Sequence, residues 1–421
     1  MKVFKFGGAS VNSVERIQNV KEIIKSYSDE QLMIIISAMG KTTNALEKVV
    51  EAFYAGHKDE ALQLFDGIKK QHTTTAKYLL VTHYNPCIEQ LNAFFTEVEW
   101  LLHDKPVREF DYYYDQVVCV GELLSTCIVS YYLNEMKVAN KWVDVRDIIR
   151  TDDNFRDATI DWDYTSQKVD EVIQPLFSEN NIIITQGFIG STDENESTTL
   201  GREGSDFTAA IFANLLNAES QTIWKDVEAV MSADPKQFPD AEIIHELSFD
   251  EVIEMAYYGA QIIHPKTIKP LQNKGIPLHV KSFIDPSLPG TVIYKKQPKH
   301  LPPIIIVKQI QALIHMHSRD FSFVGEKPMS RLYEFFAHNK IRPNLIQTGA
   351  ISLQVCLDDK PDKIDHLAAK ASNIFDVQVE KELSLLTIRH YTEALLDKMT
   401  EGKEIVLKQQ DRETVQVLYK N

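Results

Sequence analysis

A run of five apolar residues, Leu32-Met33-Ile34-Ile35-Ile36, constrains the fold more than any other stretch. It is too short for a typical helix and apolar on both sides of an extended chain, so it reads as a strand covered on both faces. Ile182 to Gly190 holds a second such strand and ends in glycines, and Thr222–Val227 and Pro277–Val280 are further strands. Trp142–Val145 is one more candidate. Helical patterns lie between these runs, which predicts an α/β architecture: a mostly parallel sheet sandwiched by helices.

The amino terminus supplies a strand of the same kind, Lys2-Val3-Phe4-Lys5-Phe6, followed by Gly7-Gly8-Ala9-Ser10. Lys5 interrupts an apolar element, so its charge must be paired or put to use. Gly7 and Gly8 offer a backbone that turns sharply and lets a ligand approach its N–H groups. Ser13 is placed to cap a helix in which Val14, Ile17, Val20, Ile24 and Tyr27 recur at helical spacing. Strand, glycine turn, helix N-terminus and lysine together make an anion cradle that favours phosphate. A strand whose lysine snorkels to the edge and whose glycines only turn fits this stretch equally well.

The Leu32–Ile36 strand runs into Ser37-Ala38-Met39-Gly40-Lys41-Thr42-Thr43-Asn44. Its Gly-Lys-Thr is not a P-loop, because that motif needs glycine where Ile35 stands. It remains a polar loop at the carboxyl end of a buried strand, where open α/β sheets bind ligands. Residues 44–110 read as a helical cover or lid, broken by Pro86 into at least two helices. A further helix, from about Tyr112 to Met136, carries Glu122 among Val117, Val118, Leu123, Leu124 and Ile128. That glutamate either faces water or, buried, partners a substrate cation. Gly201-Arg202-Glu203-Gly204-Ser205-Asp206 leads into a helix that Ser205 is placed to cap, and Arg202 can grip a carboxylate bidentately. An exposed loop before a capped helix is the plainer reading.

With 421 residues the chain exceeds a typical single core, and two or three domains are expected. Its net charge of -15 argues against a nucleic-acid-binding surface. No 18-residue apolar span and no signal peptide are read, so no membrane association is expected. The four cysteines, Cys87, Cys119, Cys127 and Cys356, lack CxxC spacing and read as reduced thiols of a cytoplasmic protein. His315 and His317 share a strand face but have no nearby third ligand, so packing or surface exposure outweighs a metal site. Lys295–Pro303, rich in proline and lysine, is the best linker. Beyond it the order strand, helix, strand, strand, helix, strand over about 312–380 suggests a ferredoxin-like, ligand-sensing α+β module.

Taken in order, Lys5–Ser10, Ser37–Asn44, Gly121–Thr126, Gly187–Gly190, Gly201–Asp206, Lys225–Pro235 and Gly259–Pro265 resemble the motifs of the aspartate kinase (aspartokinase) family. The resemblance covers essentially the whole chain. It implies an amino acid kinase (catalytic) domain over 1–296 and an ACT regulatory region over 304–421. The implied reaction moves the γ-phosphoryl group of ATP, with Mg²⁺, to the β-carboxylate of L-aspartate. Its product is 4-phospho-L-aspartate, the first step towards lysine, threonine and methionine. By the same resemblance Lys5 neutralises the transferring phosphoryl group and Asp206 organises the polar groups around it. Arg202 would hold the α-carboxylate of aspartate and Glu122 its ammonium, with Ser37, Thr43, Phe188 and Ser205 completing the pocket. The nucleotide would be met by Lys5, Gly7, Gly8, Lys225, Asp226, Met231, Lys236 and Gln261.

The sequence departs from the family at several of these points. Glu203 replaces the first inner glycine of Gly-Arg-Gly-Gly-Ser-Asp, Ala9 a threonine, Ala229 a glycine, Met231 a tyrosine, and Gln261 a lysine that contacts nucleotide. Two complete ACT modules need about 130 residues, more than 304–421 supplies, so one complete module (about 312–380) and a reduced second one are expected. Residues 383–421 are expected to pack on the first module, which predicts weak or absent inhibition by lysine or threonine singly. Family resemblance implies a homodimer joined through 304–421, with Leu353, Val355 and Leu357 extending a sheet across it, and an amino-acid effector there. The chain ends without room for a homoserine dehydrogenase domain, so a monofunctional kinase is expected. A kinase for another carboxylate, such as glutamate, and a non-catalytic amino-acid sensor remain as alternatives.

Overall fold

The computed structural model describes residues 1–296, 298, 300–320, 323–373 and 375–420, the side chains of 326–328 excepted. Gln297 and Lys299, inside the stretch read as a linker, lie outside the described residues. Two compact units form: one of Met1–Val230, Ile244–Ala256 and Gln261–Pro298, the other of Met231–Ile243, Tyr257–Ala260 and Lys299–Asn421.

The first unit is built on an eight-stranded sheet. Its strands are β1 (Lys2–Phe6), β2 (Leu32–Ile36), β3 (Lys141–Trp142), β4 (Ile182–Gln186), β7 (Ser220–Lys225), β8 (Glu246–Ser248), β9 (Leu278–Ser282) and β10 (Thr291–Tyr294). A separate hairpin, β5 (Ile189–Ser191) and β6 (Ser197–Thr199), follows β4. The sheet order is β8-β10-β9-β7-β1-β2-β4-β3, parallel except between β9 and β10. β1 lies between β2 and β7, with Lys5 opposite Ile35 and Ile223. β2 and β4 are buried along their whole length, as a strand covered on both faces must be. Because β1, β2, β4 and β7 run the same way, Gly7, Ser37, Gly187 and Asp226 all emerge at one edge of the sheet. The chemistry gathers at that edge.

Helices α1 (Val14–Lys25), α2 (Thr42–Tyr54), α3 (Lys58–Leu79), α4 (Tyr84–His103), α5 (Phe110–Val118), α6 (Val120–Glu135), α7 (Gly204–Leu215) and α8 (Pro265–Lys274) belong to the same unit. Ser13 caps α1 by accepting from the Arg16 N–H. Pro86 breaks nothing: it sits in the first turn of α4, where a missing N–H costs no helical bond, and the chain turns at Gly56–His57 and Leu80–His83 instead. Ser205 is not the cap of α7 but lies inside its first turn, and the cap position belongs to Glu203 with a left-handed φ of 56°. Phe110–Glu135, α5 and α6 together, is long and apolar enough to cross a membrane by composition, contrary to the sequence reading. The protein buries 89% of its most apolar window, which makes it a core element.

The second unit carries a six-stranded antiparallel sheet. In chain order these are β11 (Ile304–Ser318), β12 (Leu345–Thr348), β13 (Ser352–Asp358), β14 (Phe375–Arg389), β15 (Glu404–Gln410) and β16 (Thr414–Lys420), arranged β12-β13-β11-β14-β16-β15. Three helices, α9 (Glu326–His338), α10 (Pro361–Ala371) and α11 (Glu393–Thr400), complete it. β11 and β14 pair along both halves of the sheet, with register shifts between Lys308 and Leu313. Ile310 and Glu382 have positive φ at the same place. The sequence reading of the tail is corrected here. Ile304–Lys308 pairs with Leu385–Arg389, giving the second half, among the described residues, four strands and one helix, α11. It has its own core, in which Leu386, Ile388, Leu396, Val415, Val417 and Tyr419 pack with Ile305 and Val307. Leu353, Val355 and Leu357, expected to extend a sheet across an interface, are buried in the first half's core with Leu332, Phe336, Ile364 and Leu367, on a strand already paired on both sides by β11 and β12.

Candidate active site

A cleft of about 460 Å³ opens at the sheet edge where β1, β2 and β4 end, and α6, α7 and the Gly201–Glu203 turn enclose it. Its wall includes Lys5, Gly8, Ser37, Thr43, Glu122, Phe188, Arg202, Ser205 and Asp206. Residues read from segments two hundred positions apart are thus brought into one cavity. Gly7 borders it: a Cβ there would lie 3.5 Å from the Lys5 Nζ. Gly8 is where the backbones crowd most closely. A Cβ would lie 2.6 Å from the Ala38 carbonyl oxygen, and the Gly40 N–H donates to the Gly8 carbonyl at 3.0 Å. The β1–α1 and β2–α2 loops are therefore locked together along their backbones.

Lys5 reaches from the middle of the sheet to Asp206 in the first turn of α7, Nζ to Oδ1 2.7 Å. Burial alone would raise the Asp206 pKa, but the Lys5 and Lys225 ammoniums override it and hold the carboxyl below the usual range. Asp206 therefore stays ionised and fixes the lysine. Lys225 itself donates to the Ile262 carbonyl at 2.5 Å.

Glu122 has the opposite fate. It is 3% exposed near the start of α6, and one carboxylate oxygen, Oε2, has no hydrogen-bond partner. Burial pushes its pKa up to about 8, against the lowering effects of the Ala38 N–H and of Lys5. The wet-face reading of this residue is excluded. A buried, unsatisfied carboxyl is costly unless something arrives to pair with it. Arg202 is exposed, and its guanidinium makes no hydrogen bond or ion pair among the described residues. The cleft therefore presents an unmatched carboxyl and an unmatched guanidinium, the complement of an α-amino acid's ammonium and carboxylate.

The remaining wall is held by backbone geometry. Phe188 has φ 72°, and its N–H donates to the Thr208 hydroxyl of α7 at 3.0 Å. A Cβ on Gly187 would meet the Ser205 Cβ at 2.5 Å, so β4 and α7 touch there without side chains between them. Ser37 is pinned by its N–H to the Phe6 carbonyl and by Ser125, whose hydroxyl donates to the Ser37 carbonyl at 2.7 Å. Glu203, the departure from the glycine pattern, turns its carboxylate to the start of α8, where it accepts from the His264 N–H at 2.7 Å.

Asp226, Met231, Lys236 and Gln261 do not line this cleft. Asp226 follows β7 and is ion-paired to Arg16 of α1 at 2.7 Å. Gln261 is exposed in the segment before α8, and Met231 and Lys236 belong to the second unit. In return the cleft contains Tyr114, Arg156 and Thr199, which sequence reasoning missed. Asp115 gathers the latter two, accepting from the Arg156 N–H (2.9 Å), the Thr199 N–H (2.8 Å) and the Thr199 hydroxyl (2.7 Å). Burial pushes the Asp115 carboxyl up to about 6, with these donors pulling it back. No signal of spacing announces the trio. For metals the described residues form no group of three or more His, Cys, Asp or Glu side chains, and His315 pairs with Glu380 at 3.5 Å.

A mostly parallel sheet with a lysine-bearing first strand, a glycine turn and an acid-and-guanidinium cleft is an arrangement suited to phosphoryl transfer to a small molecule. The chain belongs to the amino acid kinase family, which residues 1–282 match. More particularly, its relatives are aspartokinases. Lysine-sensitive aspartokinase 3 of Escherichia coli is 30% identical over 396 residues, covering 92% of this chain and 86% of that protein. The crystal structure of E. coli aspartokinase III in complex with aspartate and ADP (R-state) superposes with a TM-score of 0.83 at 28% identity, covering 100% of this chain and 96% of that one. A bifunctional chloroplastic aspartokinase/homoserine dehydrogenase 2 of Arabidopsis thaliana is 34% identical over 302 residues, and this chain covers 32% of its length.

Proposed function

We infer that the chain is an aspartate kinase, an enzyme that transfers the γ-phosphoryl group of ATP to the β-carboxylate of L-aspartate. The observation that carries this is the pairing of Glu122, buried with a free oxygen, and an unengaged Arg202 beside Lys5. The likeness to an aspartokinase bound to aspartate and ADP supports the same reading.

The chemistry needs placement and positive charge more than proton transfer. With a carboxyl pKa of about 3.9, the β-carboxylate is already ionised at neutral pH and needs no general base. An oxygen of that carboxylate attacks the γ-phosphorus, the bond from phosphorus to the ADP oxygen breaks, and 4-phospho-L-aspartate and ADP result. Negative charge meets negative charge in this step, so stabilisation of the transferring group dominates the barrier. Lys5 supplies that charge at the end of β1, and Asp206 keeps its ammonium in position. Arg202 takes the α-carboxylate, Glu122 the ammonium, and Phe188, Ser37, Thr43 and Ser205 shape the space for the side chain. Gly7 and Gly8 bring backbone N–H groups towards phosphate, and Asp226, Lys225, Met231, Lys236 and Gln261 are assigned to the nucleotide side. Mg²⁺ would enter bound to the triphosphate and neutralise its charge, and Asp206, held ionised in the cleft, is the carboxylate that would help to hold it.

Residues 1–296 form the catalytic domain in this reading, and 304–421 an ACT regulatory region that binds an amino-acid effector and joins a homodimer. The cytoplasm is the assigned compartment, in keeping with four buried free thiols. The deciding assay traps the acyl phosphate with hydroxylamine while ATP is consumed with aspartate, with glutamate or with neither. Hydroxamate from aspartate alone is expected. Preference for glutamate would move the substrate, and no hydroxamate from either would leave a sensor.

A further inference from the structure

We propose that Arg156 is a positioning residue for the amino-acid substrate: it fastens the segment of residues 152–158 to α2 and α5, and that segment sets the Gly201–Arg202 turn at the mouth of the cleft. The proposal rests on the reading that Arg202 receives the substrate's α-carboxylate.

Three successive residues of the segment are tied to four elements. The Arg156 guanidinium lies 3.1 Å from Asp111 Oδ1 and 3.8 Å from Glu47 Oε1, and 4.3 Å above the Tyr114 ring. Asp157 is ion-paired with Lys266 at the start of α8. Ala158 donates its N–H to the Thr199 carbonyl of β6 at 3.0 Å. Beneath them the Asp115 carboxylate accepts from both the Arg156 and the Thr199 N–H groups, so the segment and β6 are joined through one side chain. Gly201 lies directly against it. A Cβ there would stand 2.6 Å from Asp157 Oδ1 and 3.3 Å from the Arg156 carbonyl oxygen, and Gly201 has φ 77°.

Arg156 also has φ 70°, in the left-handed region where glycine is free and a long side chain is disfavoured. Backbone strain of this kind persists where surrounding contacts over-determine it, and it concentrates at functional sites. Here those contacts are the Asp115 bond, the Asp111 and Glu47 carboxylates and the Tyr114 ring. The guanidinium is engaged by protein groups, while Arg202, the next guanidinium in the wall, is not. One arginine therefore builds the wall and the other meets the ligand.

Arg156→Gly removes the guanidinium without forcing a change of φ, since glycine suits the observed value. The expected result is an aspartate KM raised about fivefold, the scale of a partly exposed ion pair, with kcat and the ATP KM within about twofold. Asp111→Asn should act in the same direction and add little to Arg156→Gly, and Arg156→Lys should restore part of the loss. An unchanged aspartate KM, or full additivity of the two substitutions, overturns the clamp. Hydrogen exchange read on the same variants needs no substrate. Faster exchange at residues 199–203 as well as 152–158 is expected, and unchanged exchange at 199–203 refutes the coupling. Failure of the wild-type protein to phosphorylate aspartate would instead sink the substrate reading.

Discussion

At the residue scale, the cleft works through two carboxyl groups that burial treats in opposite ways. Asp206 has the Lys5 ammonium at 2.7 Å and Lys225 nearby, so it stays charged, whereas Glu122 has no such contact and burial pushes it up to about 8. Removing the charge from β1 with Lys5→Ala should lower kcat by about 10² or more, the scale of deleting one transition-state donor, with circular dichroism unchanged. Near-normal turnover would reduce the motif to a structural turn. For Glu122 the sign is fixed by its raised pKa. Near neutral pH the empty cleft holds a neutral acid, and an arriving ammonium favours the carboxylate, so aspartate binding expels a proton. The aspartate KM should fall as pH rises towards about 8, and calorimetry in buffers of different ionisation enthalpy should detect the released proton. Glu122→Gln should abolish both effects. The same shift makes the folded state the better proton binder between the unfolded and folded pKa values. Glu122 therefore lowers stability as pH rises through that window, fully so above about 8.

Elements meet at this cleft by backbone contact, and glycines decide how closely. Gly8→Ala would place a methyl 2.6 Å from the Ala38 carbonyl, a rigid backbone atom. Overpacking of that kind costs about 1–3 kcal/mol; a lowered melting temperature together with a raised ATP KM is expected, and wild-type values for both would show that the β1 and β2 loops move freely. Glu203→Gly is a finer test. It relieves a left-handed glutamate, a gain of about 1 kcal/mol, but removes the bond to the His264 N–H, worth about 1.5–3 kcal/mol for a charged acceptor. Net destabilisation is expected in chemical unfolding, and a more stable variant would mean that the bond contributes nothing. Both positions were named from the sequence. The partners that give them meaning, Ala38 and His264, were not legible there, because nothing in a linear pattern says which loops touch.

For the whole molecule, the second unit changes the ground on which weak regulation is expected. Weak response to lysine follows from reading 383–421 as too short for a second sheet. β11, however, begins at Ile304 and contributes a fourth strand to that half, leaving a helix as the missing part. The expectation of weak or absent inhibition by lysine or threonine singly then rests on the missing helix alone, and activity against millimolar lysine, threonine and both together tests it. Strong inhibition by either alone would show that four strands and one helix still make a working sensor. Light scattering on the full chain is expected to give a dimer, and a monomer at micromolar concentration would remove the assembly on which an interfacial effector site depends.

What the sequence determined by itself was everything carried by local pattern. Unbroken apolar runs gave β1, β2 and β4 their burial, and their termination in glycine or serine marked the edge where ligands bind. Lys5 and Arg202 could be singled out from their surroundings before any coordinates, and the resemblance to aspartate kinase motifs added Ser37, Phe188 and Asp206. Tertiary structure alone decided the rest. It buried Glu122 when a helix pattern left two faces open, drew Arg156 and Thr199 together on Asp115, and lent Ile304–Lys308 to strands nearly eighty residues later. The physical reason is the range of the interactions. Hydrophobic periodicity and turn chemistry act between near neighbours along the chain, whereas desolvation, ion pairing and strand exchange act between groups that only folding makes neighbours.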